Sequence, residues 1–229
     1  MQNIGAVQHP CARKYSGYID KNYPSSEAFR MSGDEMNPAA VAQAVEDIQG
    51  DDRWMSQIWR ELFSPLHALN FGIGGDTTCN VLWRLQNGEL DNIGPKVTVV
   101  WVGTNNHEHS AEQVAGGILA IAQLLTSRLP KTKVVVLGLL ARGEWPNPLR
   151  EKNVAVNSFL RSWLPRLGHT QFLDVGAGFV HSDETISTRD MFDFLHLTAA
   201  GYRAISKPLI DLLLQILEGT PEEKRASLV

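Results

Sequence analysis

The tetrapeptide Asp193-Phe194-Leu195-His196 has a clear capacity for acid–base chemistry. An aspartate three residues before a histidine can turn back and accept the imidazole Nδ1–H. That fixes the tautomer and leaves Nε2 to take a proton. Phe192, Phe194 and Leu195 around the pair point to a partly buried turn, which favours pairing over exposure. Two further stretches could steady a developing oxyanion. Gly72-Ile73-Gly74-Gly75-Asp76 lets the backbone approach a ligand and presents N–H groups where a helix begins, although a plain strand-to-helix turn would use the same glycines. Gly103-Thr104-Asn105-Asn106 sets an asparagine just past an apolar run, where its amide can face an oxyanion or cap the next helix as an Asx turn. His107 and His109 read as surface histidines, because no third ligand accompanies them. His181-Ser182-Asp183 is a lookalike whose adjacent side chains cannot relay to one another, and it is assigned no role.

These residues need elements to hold them. Val97–Val102 and Val134–Leu140 are continuous apolar runs rich in β-branched residues, as expected of strands buried on both faces. Ala68–Ile73 and Gln171–Val175 are shorter strand candidates. Helical spacing marks Asp76–Leu85, where Val81, Leu82 and Leu85 share a face. It also marks Ala111–Leu129, which stops at Pro130, then Leu149–Leu164, and Thr198–Leu217 with Thr198 as its N-cap. Four strands alternating with helices predict an α/β fold: a mostly parallel sheet covered on both sides. In such sheets the ligand site lies at the carboxyl ends of the strands, where Gly75, Asn105 and the Asp193–His196 pair follow. Residues 1–56 contain no convincing strand.

In order and in strand context, these blocks resemble the SGNH (GDSL-like) serine esterases. That family is known for Gly-Asp-Ser after strand one, a glycine after strand two, Gly-x-Asn after strand three and Asp-x-x-His before the last helix. Within it, Trp59–Thr77, Val100–His107 and Asp190–Thr198 are similar to the catalytic subunits of the intracellular platelet-activating-factor acetylhydrolases. The resemblance covers residues 31–229 and implies a doubly wound, flavodoxin-like sheet. It implies removal of the sn-2 acetyl group of an ether phospholipid through an acyl-serine intermediate. His196 would be the base and Asp193 its orienting partner. Gly75 and Asn105 would form the oxyanion hole, and Thr104 and Leu195 would line a short acyl pocket. No metal or cofactor is implied. The implied partners are an acetylated ether phospholipid, a second or sister subunit in a dimer, and the lissencephaly WD-repeat protein.

The pattern breaks at its first block. Gly33-Asp34 is followed by Glu35, Gly50-Asp51 by Asp52, and Gly75-Asp76 by Thr77, so Gly-Asp-Ser occurs nowhere. Gln57 joins Ile58 where the family carries about thirty further residues, the size of a strand, its turn and part of a helix. Ser56 and Ser64 are the nearest serines, but neither follows a glycine-flanked strand-to-helix turn. The nucleophile is therefore read as absent and the chain as inactive; the alternative role is that of a dead subunit that dimerises or binds the WD-repeat protein. The organisation expected is an extension over 1–30, an arm over 31–57, an incomplete hydrolase domain over 58–218 and a solvated tail over 219–229. With strand one gone, the sheet is expected to carry a gap of about 10 Å, two strand spacings. Three outcomes are open: the flanking strands re-pair directly, a piece of residues 1–30 fills the slot, for which Ile4–Val7 is a poor candidate, or the chain does not fold stably.

Composition restricts the remaining classes. The net charge of −4 gives no electrostatic ground for a nucleic-acid partner. The longest apolar runs fall far short of a membrane span, and the first ten residues lack the basic start and apolar core of a secretory signal. Cys11 and Cys79 make neither a disulfide framework nor a metal cluster, which points to a reducing, cytoplasmic setting.

Overall fold

The computed structural model describes residues 57–219, together with the backbone of residues 41–45. The 1–30 extension, most of the 31–57 arm, Ser56 and the end of the tail lie outside the described residues. Five parallel strands form one sheet: β1 (Val41–Val45), β2 (Leu69–Asn70), β3 (Val97–Trp101), β4 (Lys133–Leu137) and β5 (Thr170–Leu173), in the order β2-β1-β3-β4-β5. The helices are α1 (Thr78–Gln86), α2 (Ala111–Arg128), α3 (Pro148–Trp163) and α4 (Ala199–Glu218). This is the doubly wound α/β fold that the strand and helix pattern predicts.

The expected vacancy in the sheet is corrected. β1 occupies the central slot, pairing from Val41↔Val97 to Val45↔Trp101 on one side and at Ala42↔Leu69 and Gln43↔Asn70 on the other. The filler comes from the arm, not from residues 1–30, and β2 and β3 do not pair with each other. The slot demands little of a sequence: any extended segment supplies the N–H and C=O groups that two neighbouring strands would otherwise leave buried and unpaired. Val-Ala-Gln-Ala-Val escapes a sequence reading because it has only two β-branched residues, and its Ala and Gln favour helices.

Side-chain alternation in β3 and β4 builds two core layers. Val97, Val99 and Trp101 with Val135 and Leu137 face α4, against Tyr202, Ile205, Leu209 and Leu213. Val100 and Val102 with Val134 and Val136 face α1, α2 and α3, against Val81, Ile118, Ile121 and Val156. β3 and β4 are thus sealed on both faces, which is why they read as unbroken apolar runs. Helix starts are fixed by caps. Ser110 accepts the Gln113 N–H at 3.3 Å while Gln113 Oε1 accepts the Ser110 N–H at 2.9 Å, a reciprocal box. Asn147 accepts two N–H groups of α3, from Leu149 and Arg150. The Thr198 hydroxyl accepts the Gly201 N–H, as its N-cap assignment predicts.

Candidate active site

The loops after β2 and β3 are sewn to one another. Gly75 adopts φ +84°, a left-handed turn that carries the chain from β2 into α1 and that a side chain would strain. The Asn105 amide donates to the carbonyl of the next residue, Asp76, at 3.1 Å. Asn106, only 2% exposed, accepts the Thr78 N–H at 3.1 Å and donates to the Thr78 hydroxyl at 3.0 Å. The two asparagines divide the work: Asn106 locks the β3 loop onto the start of α1, and Asn105 lies against the Gly75 turn. Beneath that turn Arg84 bonds the Phe71 carbonyl at 2.9 Å, Asp76 at 2.5 Å and both oxygens of Glu89. Burial pushes the Asp76 and Glu89 carboxyls above their ordinary range, and the adjoining guanidinium only partly offsets it.

The other half of the site is a single tight turn before α4. Asp193 Oδ1 accepts the backbone N–H groups of Leu195 at 3.1 Å and His196 at 2.7 Å, while its Oδ2 meets His196 Nδ1. The pairing expected of Asp193 and His196 is therefore formed. With Nδ1–H donating to the carboxylate, Nε2 carries the lone pair that can accept a proton. Burial raises the Asp193 carboxyl, but the His196 backbone N–H and ring outweigh it and hold the group below its ordinary value. Phe194 takes φ +63°, which folds the turn back, and Phe192 stacks on the imidazole with centroids 5.6 Å apart.

Thr104 and Leu195, the expected acyl-pocket pair, are half-buried residues on these two separate loops. A third segment, after β4, touches both loops. Arg142 donates to the Thr104 carbonyl at 2.8 Å and its hydroxyl at 3.3 Å, and the Gly143 N–H donates to the Phe194 carbonyl at 2.7 Å. Lys152, on α3, gathers the carbonyls of Asn106, His107 and His109 at 2.9–3.2 Å. The sequence reading missed Asn106, Arg142 and Lys152, because each acts on partners distant along the chain, and it missed Arg84, whose partners lie 5, 8 and 13 residues away. Ser64 is an exposed residue at the end of a helical turn, not at the head of a strand. His181-Ser182-Asp183 forms a surface turn in which Asp183 caps Thr185.

A profile of the GDSL-like Lipase/Acylhydrolase family matches residues 40–204, starting one residue before β1 and ending inside α4. The chain belongs to that family. It is 59% identical to platelet-activating factor acetylhydrolase IB subunit alpha2 of Homo sapiens, over 86% of this chain and 100% of the relative. It is 54% identical to subunit alpha1 of Bos taurus, over 82% of this chain and 93% of that one. The alpha2 match spans 228 positions but uses only 86% of these 229 residues, so about thirty positions of the relative face none here. That shortfall agrees with the block missing between Gln57 and Ile58. Among solved structures, a GDSL-like lipase from Bacteroides thetaiotaomicron superposes with a TM-score of 0.68 at 18% identity, over 81% of this chain and 92% of that one. A family 3 carbohydrate esterase from Clostridium thermocellum gives 0.59 at 16%, over 79% and 97%. The family fold is thus present, with β1 in the place of its first strand.

Proposed function

We propose that this chain keeps the ligand-holding half of an acetyl-ester hydrolase site and forms no acyl-enzyme. One observation carries the reading: β1 stands where the family's first strand stands, but the chain leaves it through Glu46-Asp47-Ile48 instead of Gly-Asp-Ser. A histidine base and oxyanion donors without an adjacent hydroxyl cannot form an acyl-enzyme. What remains is binding: the Gly75 turn and the Asn105 amide can hold a carbonyl or carboxylate oxygen, and His196 can hold a proton beside it. Residual acceleration from such a site is about 10³-fold over water. The similarity to relatives named as platelet-activating factor acetylhydrolase subunits supports an acetylated ether phospholipid as the ligand class of this reading. A non-catalytic subunit role follows, in a dimer with a second or sister chain and against the lissencephaly WD-repeat protein. The described residues include no helix long and apolar enough to cross a membrane, and a cytoplasmic setting is part of this reading.

The deciding experiment is incubation of the purified chain with a fluorophosphonate probe, read by intact mass beside an active alpha2 relative. The expected result is full labelling of the relative and none of this chain. Stoichiometric modification of any serine here would overturn the reading.

A further inference from the structure

The candidate site is built on two loops, one after β3 and one before α4. We infer that Arg142 and Gly143 form a strap that sets these loops relative to each other, with Arg142 as a positioning residue for Asn105. The strap reaches both sides within one dipeptide: Arg142 holds Thr104, the neighbour of Asn105, and the Gly143 N–H holds the Phe194 carbonyl between Asp193 and His196. It is rigid for reasons outside the site. The Asn147 amide donates to the Arg142 carbonyl at 2.7 Å and caps α3 with its oxygen. Arg150, 8% exposed, donates to the Gly143 carbonyl at 2.6 Å and the Glu184 carbonyl at 2.6 Å. Gly143 sits at φ +82°, and a Cβ there would come within 2.4 Å of the Asn147 amide, so only glycine presents this N–H without displacing the cap. A side chain and a backbone donor one residue apart, anchored to one helix start, therefore tie both loops to α3.

The competing view is that each loop is held independently, the β3 loop by Lys152 and Asn106, and the base turn by the side chain of Asp193. Amide hydrogen exchange on the full chain separates the two views without any ligand, so the outcome is independent of whether the site turns over. The reporters are the N–H groups of Asn106 and His109, bonded to the carbonyls of Gly103 and Asn106, and those of Leu195 and His196, bonded to Asp193. Arg142→Gln is expected to raise exchange by about ten-fold in both loops while the β3 and β4 amides keep theirs. Arg142→Lys, which can still reach the Thr104 carbonyl, should restore most of the protection. Gly143→Ala should open the Leu195–His196 reporters first. Faster exchange confined to residues 104–109 in Arg142→Gln, or unchanged exchange in both loops, would overturn the strap.

Discussion

The heads of the two central strands make an instructive pair. β3 and β1 lie side by side in register, Val45 opposite Trp101. Past β3 the chain carries Gly103-Thr104-Asn105, the stretch whose amide the proposed function places at the oxyanion. Past β1 it carries Glu46-Asp47-Ile48, where the proposed function would look for a nucleophile and finds no hydroxyl. The backbone requirement of the sheet is generic: five residues of extended chain satisfy both neighbours. The chemical requirement is specific, since a hydroxyl must follow a glycine-bearing turn at that strand end. A segment recruited from upstream can therefore heal a sheet without healing its chemistry.

The largest expected effect comes from making the two strand heads alike. Glu46→Gly with Ile48→Ser places Gly-Asp-Ser directly after β1. With His196 and Asp193 already paired, fluorophosphonate labelling at the new serine is expected to rise by about 10³-fold or more, the scale set by removing a nucleophile from an intact triad. Intact mass and peptide mapping check it. A folded double variant that stays unlabelled would show that β1 replaces only the backbone of the family's first strand.

A second effect tests whether β1 is as central as its register says. Ala44→Pro removes one N–H from a strand paired on both sides, where proline is not tolerated. The expected cost is about 3 kcal/mol, a fall in Tm of about 10 °C for a domain of this size. Leu69→Pro, in the two-residue edge strand β2, should cost markedly less. Equal losses from the two variants, followed by thermal melting, would mean that β1 carries no more of the sheet than its edge does.

What the sequence discloses follows the same division. β3 and β4 are legible because burial on both faces forces unbroken apolar runs. The Asp193–His196 turn is legible because its whole logic fits within four residues. β1 is illegible because its neighbours, not its own propensities, make it a strand. Asn106, Arg142 and Lys152 are illegible for a related reason: their partners stand 28, 38 and 46 residues away, and no local spacing encodes a carbonyl that distant. Gly75 and Asn105 fall between these cases. Each is an ordinary turn residue alone, and they gain meaning from the strands before them and the hydrogen bond that links their loops.

The smallest effect concerns charge, and it contrasts the two halves of the site. Asp193 has its carboxyl held low by the His196 backbone N–H and ring, so its contribution to stability is present above the unfolded value, about 3.9. That contribution is lost as pH falls through the lower folded value. Asp76 and Glu89, raised by burial, work in the opposite sense: above their unfolded values the folded state binds more protons than the unfolded one, and stability declines as pH climbs through that window. Asp193→Asn removes the first contribution and leaves the second. The Asp193 side chain is 42% exposed, so solvent screening keeps the difference below about 1 kcal/mol. Urea titrations of both proteins from pH 3 to 7 should show the variant weaker at neutral pH, and the two curves should converge as the solution is acidified. Parallel curves across that range would show that the Asp193 carboxylate orients the imidazole without adding to the stability of the fold.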